Sequence, residues 1–471
     1  MPRPLVWFRR DLRADDNTAL LAAAERADDG LVALFVLSPG EWRAHDDAPV
    51  KIDFWLRNLA NLSQTLQSLH IALLIETADT PADIPARVRD VAHRHGCTEV
   101  HANREYEVNE SRRDVAVRAA LGLPFHLHDD RVLLPPGRVR TQSDTAYTVF
   151  TPFKRQWLTV LAAAPPVPRP APHPLRPVAG LQPAVIPQNI DGFSSPMDPA
   201  LWPAGEGVAA RRLAEFIEQS ILDYRLGRDL PALHGTSQLS PYLAAGVISP
   251  RRCLAVAREA NRGLFAGGLE GPDTWISELC WRDFYTHVTV AFPRVSMGRA
   301  FRKETDAVPW RDAPAEFARW CAGETGFPLV DAAMRQLHAT GWMHNRLRML
   351  VAMFLTKDLL IDWRQGERFF MQHLVDGDLA ANNGGWQWSS STGTDAQPYF
   401  RIFNPYTQAT RYDPEGTFVR RWVPELRAWS TKALLSMEKL SASERRRLGY
   451  REAMVDHAAA RARTLAAFKG E

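Results

Sequence analysis

Residues 4–20 read PLVWFRRDLRADDNTAL, an apolar run, Pro4 to Phe8, that passes directly into a charged string. A short run of this kind bounded by charge reads as a buried strand. The same signal returns four times before residue 130, in LVALFVL (31–37), IALLIE (71–76), EVHA (99–102) and PFHLH (124–128), with helix-like periodicity between the runs. Strands alternating with helices predict a parallel sheet covered by helices, an α/β, Rossmann-like N-terminal domain over residues 1–135. The string after the first strand carries neither G-x-G-x-x-G nor G-x-x-x-x-G-K-[ST], so no dinucleotide or nucleoside triphosphate is expected in the usual place.

Twelve of the 34 prolines fall between Pro165 and Pro203, which fixes φ and removes backbone donors. Residues 136–207 are therefore read as an interdomain linker. From about Val208 onward the pattern is helical nearly to the end, an all-α domain over 208–471. Serines before prolines, Ser240 in LSPYLAAG and Ser249 in ISPRRCLAVA, predict N-caps with proline at the first helical position. No internal repeat is visible.

The 471 residues suit two or three domains, and 45% hydrophobic with 24% charged residues is an ordinary globular balance. No apolar run reaches membrane-span length, and the arginines of MPRPLVWFRRDLR stand where a signal peptide needs its apolar core, so a cytoplasmic protein without membrane attachment is expected. Cys97, Cys253, Cys280 and Cys321 form no C-x-x-C pair, which argues against disulfides and structural zinc, and no metal site is read from the sequence. A net charge of +3 leaves nucleic-acid affinity to a local basic patch. Ten of the 15 tryptophans lie at or beyond Trp275, pointing to aromatic chemistry or stacking in the C-terminal part.

Three strings in that part carry chemistry. GTSQLSPYL (235–243) gathers glycine, threonine and serines at a helix start, suited either to a phosphate or to plain capping. WISELCWRDFYTHV (275–288) puts Glu278, Trp281, Arg282 and Tyr285 on one helical stripe, either a ligand face or an amphipathic face with an ion pair. GWMHNRLRMLVAMFL (341–355) presents His344, Asn345 and Arg348 before turning apolar. A fourth, DGDLAANNGGWQWSSSTGTDAQPYFRIFNP (376–405), has only Leu379 and Ile402 as branched aliphatics and looks built to hold something flat and polar.

GWMHNRLRM, KDLLIDWRQGERFF, DGDLAANNGGWQWSSSTGTDA and YFRIFNP resemble the FAD-binding domain of the photolyase/cryptochrome family, and LVWFRRDLRADDNTAL, YEVNESRRD and VFTPFKRQW resemble its antenna domain. The likeness is closest to class I cyclobutane pyrimidine dimer DNA photolyases. It implies reduced, anionic FAD held by Tyr224, by Thr236, Ser237, Gln238, Leu239 and Ser240 at the pyrophosphate, and by Asp376, Gly377, Asp378 and Asn382 at the flavin and sugar, with Asn382 beside the flavin N5. It implies that UV-damaged DNA is met by Arg228, Glu278, Trp281, Arg282, Tyr285, Asn345, Arg346, Leu347, Met349, Trp388, Arg401 and Gln408. Glu278, Trp281 and Asn382 are the expected catalytic residues, and a flipped-out dimer suits such a pocket because damaged bases are cheaply extruded. Trp386, Trp363 and Trp310 would relay electrons between flavin and surface.

The resemblance also implies a second, light-harvesting chromophore. YEVNE (106–110) matches folate-carrying relatives, with Glu110 on the pterin edge and Asn109 and His45 completing the cleft, so 5,10-methenyltetrahydrofolate is expected, with a deazaflavin as the alternative. Met297 stands where such relatives often have a lysine. Blue-light repair of cyclobutane dimers by a monomer is the expected function; 6-4 photoproduct repair and cryptochrome signalling are the alternatives, the first disfavoured by Asn345 with Met349 and the second by the short C-terminal extension.

Overall fold

A computed structural model describes residues 1–447 and 449–470. The five apolar runs form strands: β1 (Pro4–Phe8), β2 (Val32–Leu37), β3 (Ala72–Thr77), β4 (Glu99–Asn103) and β5 (Phe125–His128). All pairings are parallel and the order is β3-β2-β1-β4-β5. Every side chain of β1, β2 and β4 is buried, which explains continuous apolar runs where a half-exposed strand would alternate. One face packs Leu5, Trp7, Val32, Leu34, Val100 and Ala102 against the helices Ile84–Arg94 and Val108–Leu121.

The chain divides into two compact units: Met1–Ile221 with Ser237–Pro293 and Val375–Asp378, and Leu222–Thr236 with Arg294–Leu374 and Leu379–Glu471. This division differs from the one expected at residue 208. The proline-rich stretch also differs from a free spacer. The expected linker 136–207 contains a helix, Phe150–Ala163, and the proline-rich part after it lies along the first unit, where the Leu175 N–H donates to the Leu69 carbonyl (3.0 Å) and the Ala184 N–H to the Leu73 carbonyl on edge strand β3 (2.8 Å). Phe193 packs edge-on against Trp42 at 5.7 Å. A chain poor in donors still uses the few it has, and here one of them pairs with the edge strand, which would otherwise expose an unpaired carbonyl.

The second unit is helical among its described residues. Its core gathers Trp320, Phe327, Leu347, Leu350, Phe354, Trp363, Phe370 and Trp386. In the first unit, Ser249 is an N-cap, accepting from the Arg252 N–H at 3.0 Å. Ser240 is instead the first residue of its short helix, Ser240–Ala244, with Leu239 before it, because Pro241 without an N–H fits equally at the second position of the turn.

Candidate active site

In an open parallel sheet, ligands collect beyond the carboxyl ends of the strands where strand order reverses, here between β1 and β4. The residues leaving those two ends are charged. Arg9 reaches Asp114 at 2.6 Å, Arg113 reaches Glu105 at 2.6 Å, and Arg10 reaches Glu107 at 2.8 Å and Glu110 at 3.6 Å. Arg131 continues the series, 3.4 Å from Glu107 and 2.9 Å from Asp378. An unbroken chain of alternating charge therefore runs Glu110, Arg10, Glu107, Arg131, Asp378, largely out of water, where losing one partner strands the other at a cost of about 3–5 kcal/mol.

The three residues expected around an antenna chromophore meet at the Glu110 end of this chain. Asn109 Nδ2 lies 3.1 Å from His45 Nε2, and His45 Nδ1 lies 3.8 Å from Glu110 Oε1. Burial and the neighbouring Glu107 push the Glu110 carboxyl above its usual range. Two N–H donors on a bound ring would relieve that penalty. Met297, by contrast, is 52% exposed and brings no charge.

Still in the first unit, the helix Glu270–Ala291 carries the predicted stripe. Buried Asp283 anchors it, accepting from the Leu133 and Leu134 N–H groups (3.1 and 2.9 Å) and from Trp157 Nε1 (2.9 Å), while His287 Nε2 donates to the Leu134 carbonyl at 2.8 Å. Glu278, Trp281, Arg282 and Tyr285 are all half-buried. Trp281 stacks one face on Phe150, with centroids 3.6 Å apart and planes 7° apart, and Tyr285 tilts against it at 5.5 Å. Arg282 turns inward and donates to the Arg131 carbonyl; burial and the Arg131 charge hold its pKa below the usual range. Its inward turn departs from the exposed backbone contact expected of it, and it suits an anion at close quarters.

The stretch 236–240 is shared between units, Thr236 in the second and Ser237 to Ser240 in the first. Gln238 has φ +49°, rare for a non-glycine residue, and its Oε1 accepts from Arg212 Nη1 at 2.9 Å. Leu239 is buried, so only its backbone can meet a ligand. In the second unit, buried Tyr224 lies under the Arg228 guanidinium at 5.3 Å, and Gly235 approaches Gly227 so closely that a Cβ would fall 2.7 Å from its carbonyl oxygen. Asp376 and Gly377 are buried in the first unit beside the paired Asp378.

The amide-rich helix Leu379–Ser390 belongs to the second unit. Asn382 Nδ2 donates to the Glu367 carbonyl at 3.0 Å, leaving the amide oxygen as the group's acceptor. Asn383 Nδ2 donates to Glu367 Oε1 at 2.8 Å, and burial pushes that carboxyl up to about 7. Trp386 is buried beside Phe370 (5.0 Å) and Trp320 (6.1 Å, edge-on), and its Nε1 makes no hydrogen bond. Its ring lies on Gly366, where a Cβ would stand 2.1 Å from the indole. Trp363 is buried under Arg364 at 4.8 Å, and half-buried Trp310 meets Phe468 at 6.0 Å.

His344 caps the helix Asn345–Met353, its Nδ1 accepting from the Arg346 N–H at 3.2 Å. The ring proton then belongs on Nε2, a buried atom with no hydrogen-bond partner. Arg346 is held by Asp229 at 2.8 Å and covers Tyr412 at 4.6 Å. Leu347 does not face outward; it is wholly buried in the helical core, because a helix start that exposes Asn345 and leaves Arg346 half-buried turns the next residue inward. Trp388 and Gln408 are half-buried and Arg401 is exposed. Glu367, Asn383, Trp320 and the Arg10–Glu107–Arg131 relay were not singled out by sequence motifs, since each acquires its neighbours only through folding.

The description "FAD binding domain of DNA photolyase" fits residues 275–470 and "DNA photolyase" fits residues 4–173. The deoxyribodipyrimidine photo-lyase of Vibrio cholerae is 47% identical over 91% of each chain. That of Salmonella typhimurium is 45% identical over 100% of this chain and 99% of its own. The crystal structure of a bacterial class III photolyase from Agrobacterium tumefaciens matches with a TM-score of 0.85 at 34% identity, over 100% of this chain and 98% of that one.

Proposed function

The chain belongs to the DNA photolyase family, and from that premise we propose that it repairs cyclobutane pyrimidine dimers in UV-damaged DNA with blue or near-UV light. The residues fit FAD: buried donors at His344 Nε2 and Trp386 Nε1 await partners, and Asn382 offers an oriented oxygen. When bound, reduced FAD supplies the photoexcited electron that opens the cyclobutane ring and receives it back, so no net oxidation occurs.

The observation that carries this reading is the Asn382 amide. With its N–H₂ engaged by the Glu367 carbonyl, it presents an acceptor and no charge, which favours a flavin N5 that carries hydrogen. Asp376 and Gly377, with Asp378 braced by Arg131, form the rest of the proposed flavin and sugar set. Thr236, Ser237, Gln238, Leu239 and Ser240 are the proposed pyrophosphate set.

Glu278 hydrogen-bonds the dimer bases in this reading, and Trp281 and Trp388 stack on them. Phe150 already covers one face of Trp281, so the indole is preset for a single base. Asn345 and Met349 are further proposed dimer contacts, Arg346 is a positioning residue tied to Asp229, and Arg228, Arg401 and Gln408 meet the strand. The proposed antenna is methenyltetrahydrofolate on Glu110, Asn109 and His45. No helix among the described residues is long and apolar enough to cross a membrane, and a cytoplasmic monomer is proposed.

The test is to illuminate the pure, reduced protein with oligonucleotides bearing either a cyclobutane dimer or a 6-4 photoproduct, with dark controls. Light-dependent restoration of the dimer alone is expected. Turnover of the 6-4 lesion alone, or of neither lesion, would favour the 6-4 or cryptochrome reading.

A further inference from the structure

Strand β4 carries Glu99 and His101, and β5 carries His126 and His128. Residues two apart share a face of a strand, and the parallel register sets His101 beside His126 and Asn103 beside His128. One face of the sheet thus gathers a carboxylate and three imidazoles, the opposite face from buried Val100 and Ala102. None of the four has a part in the site described above.

Their geometry is close. Glu99 Oε2 lies 3.0 Å from His126 Nε2 and 3.6 Å from His101 Nε2, and the three ligand atoms all fall within 4.8 Å of one another. Ligands about 2.05 Å from a tetrahedral ion stand about 3.3 Å apart, a spacing that these distances bracket. His101 is only 2% exposed, and its Nε2, aimed into the cluster, has no hydrogen-bond partner. Its other nitrogen, Nδ1, lies 3.0 Å from His128 Nε2, and Glu99 Oε1 accepts from Arg26 Nε at 2.6 Å. Both inner ligands are thus oriented by a second contact, the arrangement that metal-binding histidines and carboxylates require.

We propose that Glu99, His101 and His126 form a binding site for a divalent transition-metal ion of the zinc class, with His128 and Arg26 orienting the ligands. Two imidazoles and one carboxylate favour such an ion over magnesium or calcium, which take oxygen ligands. The His126 side chain is 42% exposed, so the ion has a route in and water can take a fourth position. Bound there, it ties the edge strand β5 to β4.

The site is tested on the full FAD-loaded chain, freed of any affinity tag and stripped with chelator, by titration with zinc chloride and by the visible spectrum of the cobalt(II) form. One saturable equivalent per chain is expected, together with a zinc-dependent rise in the unfolding temperature. His126→Ala, at a half-exposed position that tolerates truncation, and Glu99→Gln should each abolish both effects. His128→Ala should weaken binding roughly 10- to 100-fold, the usual loss for an outer partner. His45→Ala, in the separate Glu41, His45 and Glu110 group, should leave binding intact. Absence of a saturable equivalent, binding that survives His126→Ala, or binding lost only in His45→Ala would each overturn the assignment.

Discussion

Asn382 donates its amide N–H to the main-chain carbonyl of Glu367 at 3.0 Å, while Asn383, the next residue, donates to the carboxyl of the same glutamate at 2.8 Å. One residue thus fixes the orientation of two consecutive amides. Asn382→Asp should add charge where the flavin N5 is proposed and weaken reduced flavin by about 1.5–3 kcal/mol, the scale of a hydrogen bond involving charge. A fall in the midpoint potential by spectroelectrochemistry is the expected signature; an unchanged potential would remove Asn382 from the flavin.

Burial pushes the Glu367 carboxyl up to about 7 from an ordinary 4.5. Between those values the folded chain holds a proton that the unfolded chain has released, so stability declines as pH rises through about 4.5 to 7 and levels off above. Glu367→Gln keeps the polar contact without the charge. Urea unfolding should show it gaining about 1–3 kcal/mol over the parent at pH 8 and little at pH 4. Equal gains at both pH values would show that this carboxyl does not titrate in the window.

We propose Trp386, Trp363 and Trp310 as a relay that prepares the cofactor without touching the dimer; Trp386→Phe should then abolish photoreduction of oxidised FAD while sparing repair by chemically reduced protein. Gly366→Ala should disturb the same step through packing, as its methyl would press into the indole. Transient absorption reads the tryptophan radical directly. Loss of repair in pre-reduced Trp386→Phe would instead make the residue structural.

Trp281→Ala should weaken binding of dimer-containing duplex by about 1–3 kcal/mol, the worth of one base stacked on an aromatic ring. Because Trp281 also stacks on Phe150, the variant's unfolding curve must be recorded beside the titration. Affinity should fall steeply with salt where arginines meet phosphates. Unchanged affinity in a folded variant would confine Trp281 to packing.

Glu110→Gln should strip the antenna absorption and leave FAD in place, and Met297→Lys should improve folate retention up to about fivefold, as one exposed ion pair contributes about 0.2–1 kcal/mol. Mass spectrometry of heat-released chromophores identifies the ligand. A deazaflavin alone would refute the folate assignment.

The sequence by itself determined the five strands and their parallel order of appearance, since apolar runs between helix-like segments leave few other arrangements, and the long polar-aromatic motifs were enough to indicate the family. It determined the caps only to within a residue, as Ser240 shows. What it could not contain was distance. Glu99 and His101 are separated from His126 and His128 by more than twenty residues, and only the β4–β5 register makes them neighbours. Likewise Arg131 and Asp378, nearly 250 positions apart, become an ion pair solely through folding. The linker misled because proline content reports what a backbone cannot donate and says nothing of where its remaining N–H groups go; the exposed edge of β3 decided that. Side-chain burial was equally invisible for Leu347 and Arg282, because a helical stripe gives direction around an axis and only the packed neighbours decide which side is wet.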